Sequence, residues 1–253
     1  MLRQCLRGVG FVALIVVIAG ALAGCGKGTR LISRDEEIRM GRQAAAPFEA
    51  QNGGRDRDLR RNALAITIGA RIGSAANAGD NPDYPYEFRV LANDEINANA
   101  FPGGIVYLWR GLYPVVRYDE EQLAWVAGHE AAHVSRQHAV RRIERALGYE
   151  LVIQLLLGKD TAGRVAQAIS NLTLQEYGRD QELEADRTGA LFAKNAGYDP
   201  TASLAVLEAF KSTGREVSGL ELLFASHPGN NTREDNLKAY FRQQGWSGRY
   251  YHP

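Results

Sequence analysis

Apolar residues along this chain fall into three regimes: one unbroken run near the start, several stretches at helical spacing, and two short β-branched and aromatic runs. The run from Gly8 to Ala23 is apolar or small throughout. Helical spacing predicts a first helix from Ser33 to about Ala50, with Ser33 and Glu36 as a capping box and Asn52-Gly53-Gly54 as its stop. A second helix is expected from about Arg57 to Ala76, carrying Leu59, Ala63, Ile66, Ala70 and Gly73 along one side. Tyr86 to Leu91 and Ile105 to Trp109 read as strands. A long helical pattern then runs from about Asp119 to Leu147.

Tyr149 to Leu157 reads as a core helix too short to cross a bilayer, Gly158 to Gly163 as a loop, and a short helix follows to about Leu174. Glu176 to Ala196 forms a further helix closed by Gly197 as a C′ glycine. Asp199-Pro200 opens the next, and the last runs from about Thr232 to Gln244. These elements predict an α+β, mainly helical domain with a small antiparallel sheet.

The start of the chain carries an address. Arg3 and Arg7 precede the apolar run, and Leu22-Ala23-Gly24-Cys25 follows it, as in a secretory signal. Leu-Ala-Gly-Cys also resembles a bacterial lipobox, which implies cleavage before Cys25 and lipidation of its thiol. Lys27 stands where an inner-membrane lipoprotein would carry aspartate, pointing to the outer membrane. The expected organisation is a signal peptide at 1–24, a lipidated tether at 25–32, and one domain at 33–253.

The only other cysteine is Cys5, inside the segment to be removed, so a disulfide and cysteine metal ligation are both excluded from the mature chain. Losing Arg3 and Arg7 takes the net charge from +1 to −1, which argues against nucleic acid as a partner.

Within the Asp119 to Leu147 pattern stands His129-Glu130-Ala131-Ala132-His133. Histidines at i and i+4 share one helix face, so both imidazoles can reach one ion, and Glu130 sits roughly 100° round the helix. This is the H-E-x-x-H arrangement of zinc peptidases, with the glutamate as general base. Taken alone, the pattern also fits an exposed helix that happens to carry two histidines. Glu182 and Asp186 share a face of the later helix, while Glu184 points to nearly the opposite side. One carboxylate can complete a His2Glu site and the other can fix a ligand histidine's tautomer; Glu182 is the better ligand, Asp186 the better support. Glu176 and Asp180 share the spacing and compete as a solvated acidic face. Asn93 to Gly104, with its Pro102-Gly103-Gly104 turn, is either a plain hairpin connection or the approach to a sheet edge open to an extended peptide.

With these residues together, the chain resembles the metallopeptidase family of the CAAX prenyl protease and HtpX, and within it the small periplasmic lipoprotein members. His129, Glu130 and His133 fall on that family's zinc motif, and His138 on a histidine often found five residues later. Glu182 and Asp186 match its Glu-x-x-x-Asp element, whose first residue is the third zinc ligand. Asn97-Ala98 and Pro102-Gly103-Gly104 match its edge-strand segment; His227-Pro228 and Arg233 match its His-Pro-x-x-x-x-Arg element. Asn99 departs from the bulky apolar residue usual there.

The resemblance implies a zincin-type (gluzincin) fold and one Zn2+ per chain, held by His129, His133 and Glu182. Glu130 would be the base, and Asp186 would support a ligand. Asn97, Gly103 and Gly104 would meet substrate, and Arg233 would bind the substrate backbone or help hold the His227 loop. His227 would either donate to the oxyanion or plug the metal in a resting state. The expected substrates are unfolded or misassembled polypeptides of the bacterial envelope, met by an endopeptidase anchored in the periplasm through Cys25. The rival expectation is a lipid-anchored chaperone or assembly factor with a structural or latent zinc.

Overall fold

The computed structural model describes residues 32–79, 83–145, 171, 177–212, 227 and 230–253. The leader and Cys25, the Tyr149 to Leu157 helix, the Gly158 to Gly163 loop and the helix to Leu174 lie outside the described residues, Asn171 apart.

Helix α1, Arg34–Gln51, begins where its sequence says it must: the Ser33 hydroxyl accepts from the Glu36 N–H, and Glu36 reaches back to Ser33. Helix α2, Leu59–Asn77, is capped by Asp58, which accepts from the Arg61 N–H. Its buried side is not the expected one. Leu59 and Ile66 are 85% and 64% exposed, while Ala65, Ile68, Gly69, Ile72, Gly73 and Ala76 face inward. Close approach to the sheet decides this: a Cβ on Gly69 would lie 2.4 Å from the Phe88 ring. The face with small residues therefore seats against the strand, and the larger apolar residues are left outside.

Three strands follow: β1 (Glu87–Leu91), β2 (Ala98–Ala100) and β3 (Ile105–Trp109), in the order β1-β3-β2. The sheet is mixed rather than antiparallel throughout. β2 runs antiparallel to β3, but β1 pairs parallel to it, Glu87 with Ile105 through Leu91 with Trp109. The physical reason is the connection. Parallel neighbours need a crossover, and the Asn93 to Gly104 segment supplies one that contains β2 itself. β3 is thus central and paired on both sides, so the strand after Pro-Gly-Gly is not the edge. β2 is an edge, and it packs against the histidine helix.

β3 is buried along its whole length and divides two cores. Ile105, Tyr107 and Trp109 join Phe48 and Phe101 on the α1 side; Val106 and Leu108 face the larger cluster built on the other helices. This is the period-2 pattern of a strand covered on both faces.

After a short α3, Leu112–Val115, comes α4, Glu120–Ser135, capped by Asp119. The expected continuous helix to Leu147 is broken. Gln137 adopts a left-handed conformation with φ 56°, and helical backbone resumes over 138–145. A distant contact holds the break: Gln137 Nε2 donates to Tyr84 Oη (3.0 Å) and to Glu37 Oε2 (3.2 Å). Tyr84 in turn donates to Glu37 at 2.9 Å.

Helix α5, Arg179–Asn195, ends with Ala196 as C-cap and Gly197 at φ 81°. α6, Ala202–Ser212, starts two residues later than Pro200, because Asp199 first caps a turn through the Thr201 N–H at 2.8 Å. α7, Asn230–Gln244, closes the set. α4 and α5 pack most intimately. A Cβ on Gly128 would come within 2.7 Å of the Gly189 carbonyl oxygen, and one on Gly189 within 2.6 Å of the His129 nitrogen. That backbone-to-backbone approach brings a carboxylate helix onto a histidine helix.

Candidate active site

α4 is buried from Gln122 through Ser135, and its histidines project into the seam with α5. His129 and His133 bring their Nε2 atoms to 3.0 Å of each other. Glu182 faces both, with Oε1 3.4 Å from His133 Nε2 and Oε2 3.6 Å from His129 Nε2. His227 enters from the segment before α7: its Nδ1 lies 3.0 Å from Glu182 Oε1 and 3.3 Å from His129 Nε2. One ligand atom from each of these four residues lies within 4.8 Å of all the others. Glu130 is 2% exposed, with Oε1 3.4 Å from His227 Nε2.

Behind this group the structure supplies a second layer of charge. Asp186 Oδ1 is 3.0 Å from His129 Nδ1. Arg233 grips the Asp186 carboxylate through Nε (2.8 Å) and Nη2 (2.6 Å), and its Nη1 lies 3.0 Å from Glu182 Oε2. The same Nη1 reaches the His227 carbonyl oxygen at 3.4 Å. Of the two roles expected of Arg233, its contacts go to the His227 loop and to other acceptors of the protein itself. It fixes Glu182, Asp186 and the His227 backbone at once. Tyr177 stacks on the His133 ring, centroids 3.9 Å apart; a lone tyrosine outside any motif gave the sequence no way to mark it.

The electrostatics follow from burial against neighbours. Burial pushes the Glu130 carboxyl up, only partly offset by His227 and His129. Burial would raise Glu182 too, but His227 and Arg233 override it and hold the carboxyl well below its ordinary value. Asp186 is lowered against the same burial by Arg233. Burial drives His133 far down, keeping its imidazole neutral. Burial acts the same way on His227, yet the Glu182 and Glu130 carboxylates prevail and raise it.

The donor chemistry fits a divalent cation. Asp186 is acceptor-only, so the His129 nitrogen beside it is the one to carry the proton. His129 Nε2 then presents a bare lone pair to the Glu182 carboxylate and the other imidazoles. Acceptors converging in a dry interior need a positive charge among them. Neutral imidazole and carboxylate, without thiolate, is a zinc-type set.

The edge-segment residues separate. Asn97 is fully buried and turns its Oδ1 to the Ala98 N–H; Asn99 Oδ1 accepts from Trp109 Nε1 at 2.7 Å. The Gly103 N–H donates to Glu37 at 3.2 Å, and the Gly104 N–H to the Phe101 carbonyl at 3.3 Å. Both N–H groups are spent in shaping the turn against α1, so the expected contact of Gly103 and Gly104 with substrate does not run through them. Asp180 is exposed, and Glu176 lies outside the described residues.

A mostly helical domain with a small sheet, and a buried His-Glu-His helix facing a second acidic helix, defines a zincin-type metallopeptidase. The sequence profile of peptidase family M48 matches residues 62–240, and the chain belongs to that family. It is 33% identical over 179 residues to the beta-barrel assembly-enhancing protease of Escherichia coli (strain K12), covering 64% of this chain and 35% of that protein. The Yersinia pestis protein of the same name is 31% identical over 176 residues, with coverage of 64% and 35%. Mitochondrial metalloendopeptidase OMA1 of Schizosaccharomyces pombe is 29% identical over 154 residues, covering 60% of this chain and 45% of that one. The chain thus spans about a third to just under half the length of these relatives.

Proposed function

We propose that this chain is a zinc-dependent endopeptidase held by a lipid at Cys25 in the bacterial envelope, at the outer membrane, and that it cleaves unfolded or misassembled envelope polypeptides. The observation that carries the reading is the convergence of His129, His133 and Glu182 beside the buried carboxylate of Glu130. Relatives named as a beta-barrel assembly-enhancing protease and a metalloendopeptidase support it. The LAGC sequence before residue 26 supports the anchor, and among the described residues no helix is long and apolar enough to cross a membrane.

His129, His133 and Glu182 would hold the ion, with Asp186 and Arg233 keeping them in place. A bound zinc supplies Lewis acidity, acidifying a water and polarising the scissile carbonyl. Glu130 is the group that takes a proton from the attacking water and delivers it to the leaving amine. The substrate strand would lie along β2. Asn97 and Phe101 already bond β3, so by alternation the backbone groups of Ala98 and Ala100 point the other way; the Ala98 N–H is held by Asn97 Oδ1, so the pairing would run through the Ala98 carbonyl and the Ala100 groups.

His227 sits among the donors, which favours a resting state in which its imidazole occupies the fourth position; with substrate bound it would swing to the oxyanion. The two roles separate in His227→Ala. Release of a plug raises basal cleavage, whereas loss of an oxyanion donor lowers turnover about a hundredfold or more. Unchanged turnover removes this residue from the mechanism.

The deciding experiment is digestion of an unfolded protein by the purified chain, with and without a chelator and with zinc restored. Cleavage lost to chelator and recovered with zinc is expected. A zinc-loaded chain that cuts nothing would favour a chaperone or assembly factor.

A further inference from the structure

His129 has Asp186 directly behind its ring, but among the described residues no carboxylate stands directly behind His133. His138 stands there instead. It is fully buried, and its Nδ1 is 2.9 Å from His133 Nδ1. Its other nitrogen, Nε2, lies 3.2 Å from Glu184 Oε2. Glu184 in turn has Arg136 Nε 3.4 Å from its Oε1. Glu184 thus reaches the site although it leaves α5 on a different side from Glu182 and Asp186.

We infer that Glu184 and His138 form a two-step relay that fixes the tautomer and ring plane of His133, making both of them positioning residues for the metal site. The argument rests on the reading of His133 as a ligand and follows from donor counting. A carboxylate only accepts, so the proton on His138 is at Nε2 and its Nδ1 is a lone pair. That lone pair accepts from His133, whose proton is therefore at Nδ1. His133 Nε2 is left bare, and it is the atom that faces Glu182 and His129. The proton order runs one way along the chain Glu184, His138, His133. Tyr177, stacked on the ring, blocks its rotation.

The backbone is shaped for this contact. Five residues on from His133 in an unbroken helix, His138 would lie about 140° round the axis and face elsewhere. The left-handed turn at Gln137 redirects it, a conformation that non-glycine residues adopt only where surroundings impose it. Here Glu37 and Tyr84 impose it through the Gln137 amide. One helix therefore supplies all three carboxylates: Glu182 as ligand, Asp186 behind His129, and Glu184 behind His133 through His138.

The test is zinc affinity, by competition with a chelator of known affinity, on the purified full-length protein. Outer partners of ligand histidines typically change affinity about ten- to hundredfold. Glu184→Ala should weaken zinc about tenfold and His138→Phe by up to about a hundredfold, with the double variant no weaker than His138→Phe alone. Glu184→Gln, whose amide oxygen still accepts, should keep most of the affinity. Nitrogen-15 imidazole spectra of the zinc-loaded wild type should show His138 protonated at Nε2, a preference lost in Glu184→Ala. The Glu184 side chain is 41% exposed, so its replacement tests the relay even if His138→Phe fails to fold. Unchanged zinc affinity in Glu184→Ala, or a wild-type His138 protonated at Nδ1, would overturn the relay alone. A wild type that binds no zinc would overturn the metal site beneath it as well.

Discussion

The charge cluster around Glu49 and the one around Glu182 are built to opposite rules. Around Glu49, on the α1 side of the sheet, each acceptor meets a donor: Arg89 at 2.7 Å, Tyr107 Oη at 2.9 Å and Arg55 at 3.0 Å, while Arg89 also holds Glu87. Around Glu182 the acceptors outnumber the donors. Three carboxylates (Glu130, Glu182 and Asp186) and three imidazoles share one dry seam; among the described residues Arg233 is the one arginine paired with these carboxylates, and Glu130 Oε2 has no partner. A network that closes on itself contributes stability and little else. One left over-supplied with lone pairs is costly until a cation or substrate completes it, which is the mark of a place where chemistry happens.

The largest effect expected from this contrast is catalytic. Glu130→Gln keeps the shape and the donor set but cannot take a proton, so cleavage should fall by about 10²- to 10⁴-fold while bound zinc is unchanged. Peptide turnover and metal analysis on the same sample check it; turnover within tenfold of wild type would refute the base.

Next comes the clamp. Arg233→Met leaves Glu182 and Asp186 buried without their counter-charge, so the metal-free protein should lose about 3–5 kcal/mol in denaturant unfolding. Zinc should restore part of that loss, because a ligand bound only by the folded state adds to its stability. Equal unfolding of variant and wild type in chelator would show that the site needs no clamp.

The paired cluster should respond far less. Arg89→Met removes one partner of a largely buried network in which Arg55 and Tyr107 still hold Glu49, costing about 1–2 kcal/mol, and the cost should be the same with and without chelator. Any dependence on zinc would mean the two clusters are coupled through the sheet.

The smallest effect is titration of Glu49. Burial would raise its carboxyl, but Arg55, Tyr107 and Arg89 together hold it below its ordinary value. A depressed folded value contributes stability that is complete above the unfolded value of about 4.3 and drains away as pH falls toward the folded one. Glu49→Gln should therefore flatten the acid limb of the stability profile below about pH 5 and leave neutral pH nearly unchanged in slope. An identical acid limb in the variant would count against the pairing.

What the sequence determined alone is whatever one helix turn determines. His129, Glu130 and His133 are arranged by the 3.6-residue period, as are Glu182 and Asp186, so the donor set could be read before any tertiary contact was known. The cap at Ser33 and the stop at Gly197 are equally local, since each settles backbone groups within a few residues. Tertiary structure decided the rest, because those choices were between locally equivalent options. Both sides of α2 carry apolar residues, and only the fit of Gly69 against Phe88 selects one. The helical pattern runs on past Ser135, and only the distant Glu37 and Tyr84 make it break at Gln137. For Arg233 a loop contact and a substrate contact were both open, because its spacing says nothing about which acceptors a fold will bring to it; two helices meeting at Gly128 and Gly189 brought Asp186 and Glu182.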